Sequence, residues 1–165
     1  SFYGCSARKI VKKAKRINNK DPKRCLKKVP DCDYSSVCHQ TVWGRKYLSL
    51  LEISEFGKSD LKRCPAATSG YQLLRQQALA EGIAQSGRYT LVASMVAFDG
   101  RNADLKRCLR TTGLDDFQTD WGKLFEGKAM FKTWTHQEWV QFVRDNQKNG
   151  EFDGWLDYLN KRYGY

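Results

Sequence analysis

Residues 30–55 read Pro-Asp-Cys-Asp-Tyr-Ser-Ser-Val-Cys-His-Gln-Thr-Val-Trp-Gly-Arg-Lys-Tyr-Leu-Ser-Leu-Leu-Glu-Ile-Ser-Glu, and this stretch decides the fold. Residues 34–40 have strand character around Val37, and residues 47–53 carry Leu48, Leu50, Leu51 and Ile53 in a nearly continuous apolar run. A run of that kind suits a strand covered on both faces. Residues 41–46 lie between the two, with Gly44 as the turn residue, so a β-hairpin is the economical expectation. Folded near Trp43, it sets Asp33 opposite residues 52–54 and Asp31 opposite Glu55. Carboxylates on neighbouring strands at one end of a sheet repel each other unless a cation sits between them. Such an oxygen-rich site suits Mg2+ or Mn2+. An ion of this class lowers the pKa of bound water and stabilises charge on a scissile phosphate. Ordinary solvated acids at two strand ends are the bland alternative.

Outward from this stretch, the periodicity changes from two to 3.6. Residues 6–17 form a helix candidate capped by Ser6, with Ile10, Val11 and Ala14 at helical spacing. Residues 65–70 read as a loop leading into a helix over 71–85, whose apolar stripe is Leu73, Leu74, Ala78, Leu79 and Ile83. Glu81 is expected at its surface. Residues 89–98, rich in Val and aromatics and closed by Asp99 and Gly100, predict a buried strand. A hairpin, a helix and a strand in that order imply a mixed sheet with a helical crossover.

Residues 103–109 suggest a short helix and 130–134 a short strand. Thr135 and Glu138 have capping-box spacing and open a helix carrying Trp139, Val140 and Phe142. Trp155, Leu156, Tyr158 and Leu159 describe a last amphipathic helix. Four of the five tryptophans follow position 120 and are expected to pack this half onto the sheet. One domain is therefore expected over 1–165: a basic helical segment to 29, a sheet-and-helix core over 30–100, and a mostly helical remainder. The pentapeptide Asp-Leu-Lys-Arg-Cys occurs at 60–64 and again at 104–108, without matching flanks, as two similar basic helix ends would.

The net charge of +11 points to a polyanion, because each neutralised phosphate releases condensed counterions. Lys9, Lys12, Lys13 and Arg16 head the basic N-terminal cluster, and Lys46 and Lys58 flank the second apolar run; these six are the candidate nucleic-acid contacts. A soluble cationic surface without a partner is the alternative. No apolar run approaches membrane-spanning length, and the basic stretch has few bulky apolar residues on a second face, so no membrane partner is expected. No signal peptide is read at the Ser1 start, which suits a trimmed chain or the released end of a longer one. Six cysteines occur without any Cys-x-x-Cys pair, which favours reduced thiols over disulfides or a zinc cluster and leaves the compartment open. His39 and His136 stand alone and suit capping or hydrogen bonding better than general-base work.

The order of these features resembles the PD-(D/E)XK superfamily of nucleases, with their restriction-endonuclease-like α/β core: a mixed β-sheet flanked by helices. The residues that carry the resemblance are Asp31 or Asp33, then Glu52-Ile53-Ser54, then the helix opening Tyr71-Gln72-Leu73-Leu74-Arg75. Residues 155–164 are also similar to the C-terminal helix of restriction-type members. The resemblance implies a divalent-metal-dependent endonuclease acting on DNA, with RNA a related substrate. Asp33 and Glu52 would be metal ligands with Asp31 in support. Gln72 would orient the attacking water or a phosphate, and Arg75 would neutralise charge. It allows a restriction-type enzyme, cytoplasmic and often a homodimer, or the DNase toxin domain of a larger protein, delivered into target cells and matched by an acidic immunity protein. The family lysine two residues after the glutamate is Ser54 here. Lys46 or Lys58 could supply a migrated ammonium, Glu55 could replace it, or the centre could be a descendant that binds nucleic acid without cutting.

Overall fold

The computed structural model describes residues 46–67 and 69–165. The helix expected over 6–17 and the first hairpin strand over 34–40 lie outside the described residues. The chain divides into two compact units. The first holds residues up to Ser94 together with Asp104–Phe131, and the second holds Met95–Ala103 with Lys132–Tyr165. Helices dominate, accompanied by two small sheets, each of two strands: β1 (Glu52–Ile53) with β3 (Phe125–Glu126), and β2 (Ala93–Phe98) with β4 (Met130–Thr135).

The run over 47–53 is not one buried strand. Leu48–Leu50 is a 3-10 turn, and only Glu52–Ile53 extends, pairing antiparallel so that Glu52 faces Glu126 and Ile53 faces Phe125. Local hydrogen bonds take the donors that a longer strand would have offered to a neighbour. Leu50 N donates to Tyr47 O, Leu51 N donates to Leu48 O, and the Ser49 hydroxyl donates to Lys46 O at 2.9 Å. Leu50 instead meets the helix α2 (Tyr71–Gln85): its carbonyl accepts from Gln85 Nε2 at 3.2 Å, beside Gly82.

The helix α2 has the expected bounds but a different buried face. Leu74 and Ala78 are inside with Gln77, Ala80, Glu81 and Ala84, whereas Leu79 is 62% exposed and Ile83 also points outward. Glu81 is therefore no surface acid. Its Oε1 accepts from Lys128 N and its Oε2 from Ala129 N, each at 2.8 Å, while Gln77 Nε2 donates to Ala129 O at 3.2 Å. Buried backbone donors must find acceptors, and in the turn between β3 and β4 a side chain some fifty residues away supplies them. Gly127 packs against the same carboxylate, where any Cβ would collide with it.

Around this clamp, the first unit's core is Leu61, Leu109, Leu114, Phe117, Trp121 and Leu124, all at most 2% exposed. Trp121 meets Phe125 edge-on with ring centroids 5.5 Å apart. The helix α1 (Glu55–Asp60) enters this core through Gly57, which has Ile53 and the Leu124 carbonyl so close that a side chain could not fit. The shorter helices α3 (Ala103–Lys106) and α4 (Phe117–Asp120) complete the unit, although Ala103 itself belongs to the second.

The buried strand expected over 89–98 is also corrected. Only β2 is extended, and along it Ser94 and Phe98 are buried while Ala93, Met95 and Ala97 are exposed; Tyr89 and Leu91 lie outside it in solvent. The alternation is that of a strand covered on one face. In the second unit, α5 (His136–Asn146) opens with the expected capping box, Thr135 accepting from Glu138 N and Glu138 accepting from Thr135 N. The last helix, α6 (Asp153–Tyr163), buries Leu156. The four late tryptophans divide in their burial: Trp121 is fully buried, but Trp139 and Trp155 are 44% and 40% exposed.

Asp99 organises the second unit's polar side. It accepts from Arg101 through Nε and Nη2, from the Arg101 backbone, and from Gln137 Nε2 at 2.7 Å. Arg101 also reaches Tyr163 O, and the Tyr165 phenol lies 3.0 Å from His136 Nδ1 and 3.4 Å from Asp99. The Arg101 side chain first, then its backbone N–H and Gln137, hold the Asp99 carboxyl well below the usual carboxylate range.

Two measurements test these anchors. Glu81→Ala strands two part-buried donors and empties the site, so thermal unfolding should show a loss of about 1–3 kcal/mol. The Asp99 contribution has a definite sign: a depressed folded pKa stabilises above the unfolded value and is lost on acidification. Denaturant midpoints should therefore be flat near neutrality and fall below about pH 4, and Asp99→Asn should remove that acid limb.

Candidate functional site

The acids of the second apolar run stand at one end of the first unit. Glu52 is exposed on β1 and is the register partner of Glu126, a like-charge pair that neither strand neutralises. Glu55 opens α1, and Lys58, one turn along, brings its Nζ to 2.6 Å from Glu55 Oε1. The hydrogen bond and charge of Glu55 raise the Lys58 pKa first, and the charges of Glu126 and Glu52 add to it. An ammonium thus stands in the field of three carboxylates. Glu126 had no signal in the sequence, because its place beside Glu52 arises from a pairing across some seventy residues.

Ser54 has a structural role. Its hydroxyl donates to Lys123 O at 2.5 Å and accepts from Gly57 N at 3.0 Å, capping α1, and the residue is 8% exposed. Ser54 N donates to Leu124 O. The position where the resemblance implies a lysine is thereby occupied by a buried cap with no room for a free ammonium.

Gln72 and Arg75 are exposed near the start of α2. The chain that leads to Glu52 touches the helix at its other end, where Gln85 holds Leu50. At 1.5 Å per residue, Gln72 lies roughly 20 Å along the axis from Gln85, and two residues of chain from Leu50 to Glu52 span at most about 7 Å. Asp31, Asp33, Lys9, Lys12, Lys13 and Arg16 lie outside the described residues. Lys46 is exposed at the start of the described chain.

Among the described residues no group of three His, Cys, Asp or Glu could hold a metal ion. Glu52 would give one oxygen ligand, and a complete site needs Asp31 or Asp33 as well. Cys64 is buried, and burial pushes the half-buried Cys108 thiol up. No helix among the described residues is long and apolar enough to cross a membrane.

The charge is unevenly distributed. Residues 1–45 contain 12 Lys and Arg against three acids, a net +9 of the total +11, which leaves +2 for residues 46–165. Comparison with protein-family models, with curated proteins and with solved structures finds no match to this chain.

If Ser54 is a cap, removing its hydroxyl costs stability: Ser54→Ala should lower the unfolding free energy by about 1–2 kcal/mol. Ser54→Lys should lower it further, since the lysine would enter a buried site, as chemical denaturation of the two variants will show.

Proposed function

We propose that this chain is a divalent-metal-dependent phosphodiesterase that cuts DNA, on a restriction-endonuclease-like α/β core. The observation that carries the reading is Lys58 among Glu52, Glu55 and Glu126 at the β1–α1 junction. Carboxylates and one ammonium at a strand end are the chemistry that the resemblance calls for, with Lys58 four residues beyond the serine that replaces the expected lysine. The described acids alone do not fit a hard divalent ion. Glu52 would act as a ligand together with Asp33, and Asp31 would support it. Mg2+ or Mn2+ would supply an activated water; Lys58 would hold positive charge beside the scissile phosphate. Gln72 would orient the attacking water or a phosphate, and Arg75 would neutralise charge. The basic residues Lys9, Lys12, Lys13 and Arg16 would follow the phosphate backbone, and Lys46 would extend that track toward β1.

A second reading is a nucleic-acid-binding module without catalysis. The capping role of Ser54 favours it, together with a charge concentrated in residues 1–45 while the acids remain incomplete. A restriction-type enzyme, with its homodimer, and a delivered DNase toxin, with its acidic immunity protein, are settings of the first reading.

Supercoiled plasmid incubated with the full chain decides between the two. Nicking that requires Mg2+ or Mn2+ and is abolished in both Glu52→Ala and Lys58→Ala is expected. Plasmid that is retarded but uncut under either metal would reject catalysis and leave the binding module.

A further inference from the structure

The repeated pentapeptide has no part in the reading so far. In the first copy Leu61 and Cys64 are buried while Lys62 is exposed; in the second, Leu105 and Cys108 are half-buried while Arg107 is exposed. Both copies turn leucine and cysteine inward and at least one cation outward. Hydrogen bonds hold the first copy and its following loop against the end of the second copy and the residues after it. Lys62 N donates to Thr112 O at 2.9 Å, and the Ser69 hydroxyl donates to Cys108 O at 2.5 Å. Gly113, at φ 106°, lies so near the Asp60 carbonyl that any Cβ would overlap it. Lys62 and Arg63 therefore run beside the segment that carries Arg107 and Arg110.

Among the described residues these cations are poorly neutralised. Arg110 has one long pair, 3.8 Å to an Asp115 that is 92% exposed. The other nearby acids are partly engaged: Asp60 accepts from the Ser59 hydroxyl, and Asp116 caps α4. Asp104, which opens the second copy, is exposed. Among the described residues Lys62, Arg63, Lys106 and Arg107 make no ion pair within 4 Å. Arg63 is half-buried, and its Nε is buried without an acceptor. A desolvated guanidinium donor with no partner is costly. For the exposed Arg107 and Arg110, a phosphodiester oxygen is the kind of acceptor that an arginine binds best.

We propose that the first Asp-Leu-Lys-Arg-Cys segment, together with the second and the residues that follow it to Arg110, forms a surface that grips the nucleic-acid phosphate backbone, with Lys62, Arg107 and Arg110 as its contacts. The inference rests on the nucleic-acid reading above and adds a binding surface distinct from the acids of β1 and from the basic N-terminal residues. Contacts of this type fix position on the strand and carry no base preference.

The test is fluorescence anisotropy of a labelled DNA duplex with the full chain over a salt series. The variant Lys62→Gln/Arg107→Gln/Arg110→Gln removes three exposed charges, and circular dichroism checks its fold. It should bind several-fold more weakly, with a salt slope reduced by about 2 to 3. Lys62→Arg/Arg107→Lys/Arg110→Lys should retain affinity and slope. Unchanged binding in the Gln variant, beside a wild type that binds, overturns this inference alone. Equal loss in the charge-conserving variant also overturns it, because shape rather than charge would then be responsible. A wild type without salt-dependent binding overturns the nucleic-acid reading and this surface with it.

Discussion

The first unit depends on a buried carboxylate. Glu81 reaches from the middle of α2 to the two backbone donors of the β3–β4 turn, and no other element among the described residues is recorded as satisfying them. Because β3 pairs with β1, fixing that turn also fixes the position of Glu52 and the start of α1. Gly57 and Gly127 are the steric side of the same arrangement: each lets backbone or carboxylate approach where a methyl group would block it. The short sheet is thus held less by its own ladder, which has two residue pairs, than by a helix and a cap that lie outside it.

Helices were legible in the sequence where their limits are written in local chemistry. The span of α2 and the capping box of α5 follow from spacing and from residues that bond within one turn. The strands were less legible, because their partners are distant. Leu48, Leu50 and Leu51 form an apolar run that is equally compatible with a strand or with a turn laid on a helix, and the latter is found. Glu81 was misread for a related reason: on α2 it follows the polar residues Gln76 and Gln77, and nothing nearby reveals two unpaired backbone donors at 128 and 129.

The candidate site was partly legible. The concentration of acids around Glu52 and Glu55 was visible, and so was Lys58 near them. The pairing of Glu52 with Glu126 was not, since it depends on a β-bridge with no sequence mark. Gln72 and Arg75 shared a helix face with each other, which spacing reveals. Which end of α2 the preceding chain meets has no such mark in the spacing, and the contact of Leu50 with Gln85 shows it.

The division of charge has a kinetic meaning. Residues 46–165, at +2, would exert little long-range pull on a polyanion, whereas the +9 of residues 1–45 would exert much. Electrostatic steering of that kind raises the frequency of encounter and weakens steeply with ionic strength. Dissociation is governed by short-range contacts made after arrival. The two segments of the sequence would then control different rate constants, so that salt would change how often the chain meets such a target more than how long it stays.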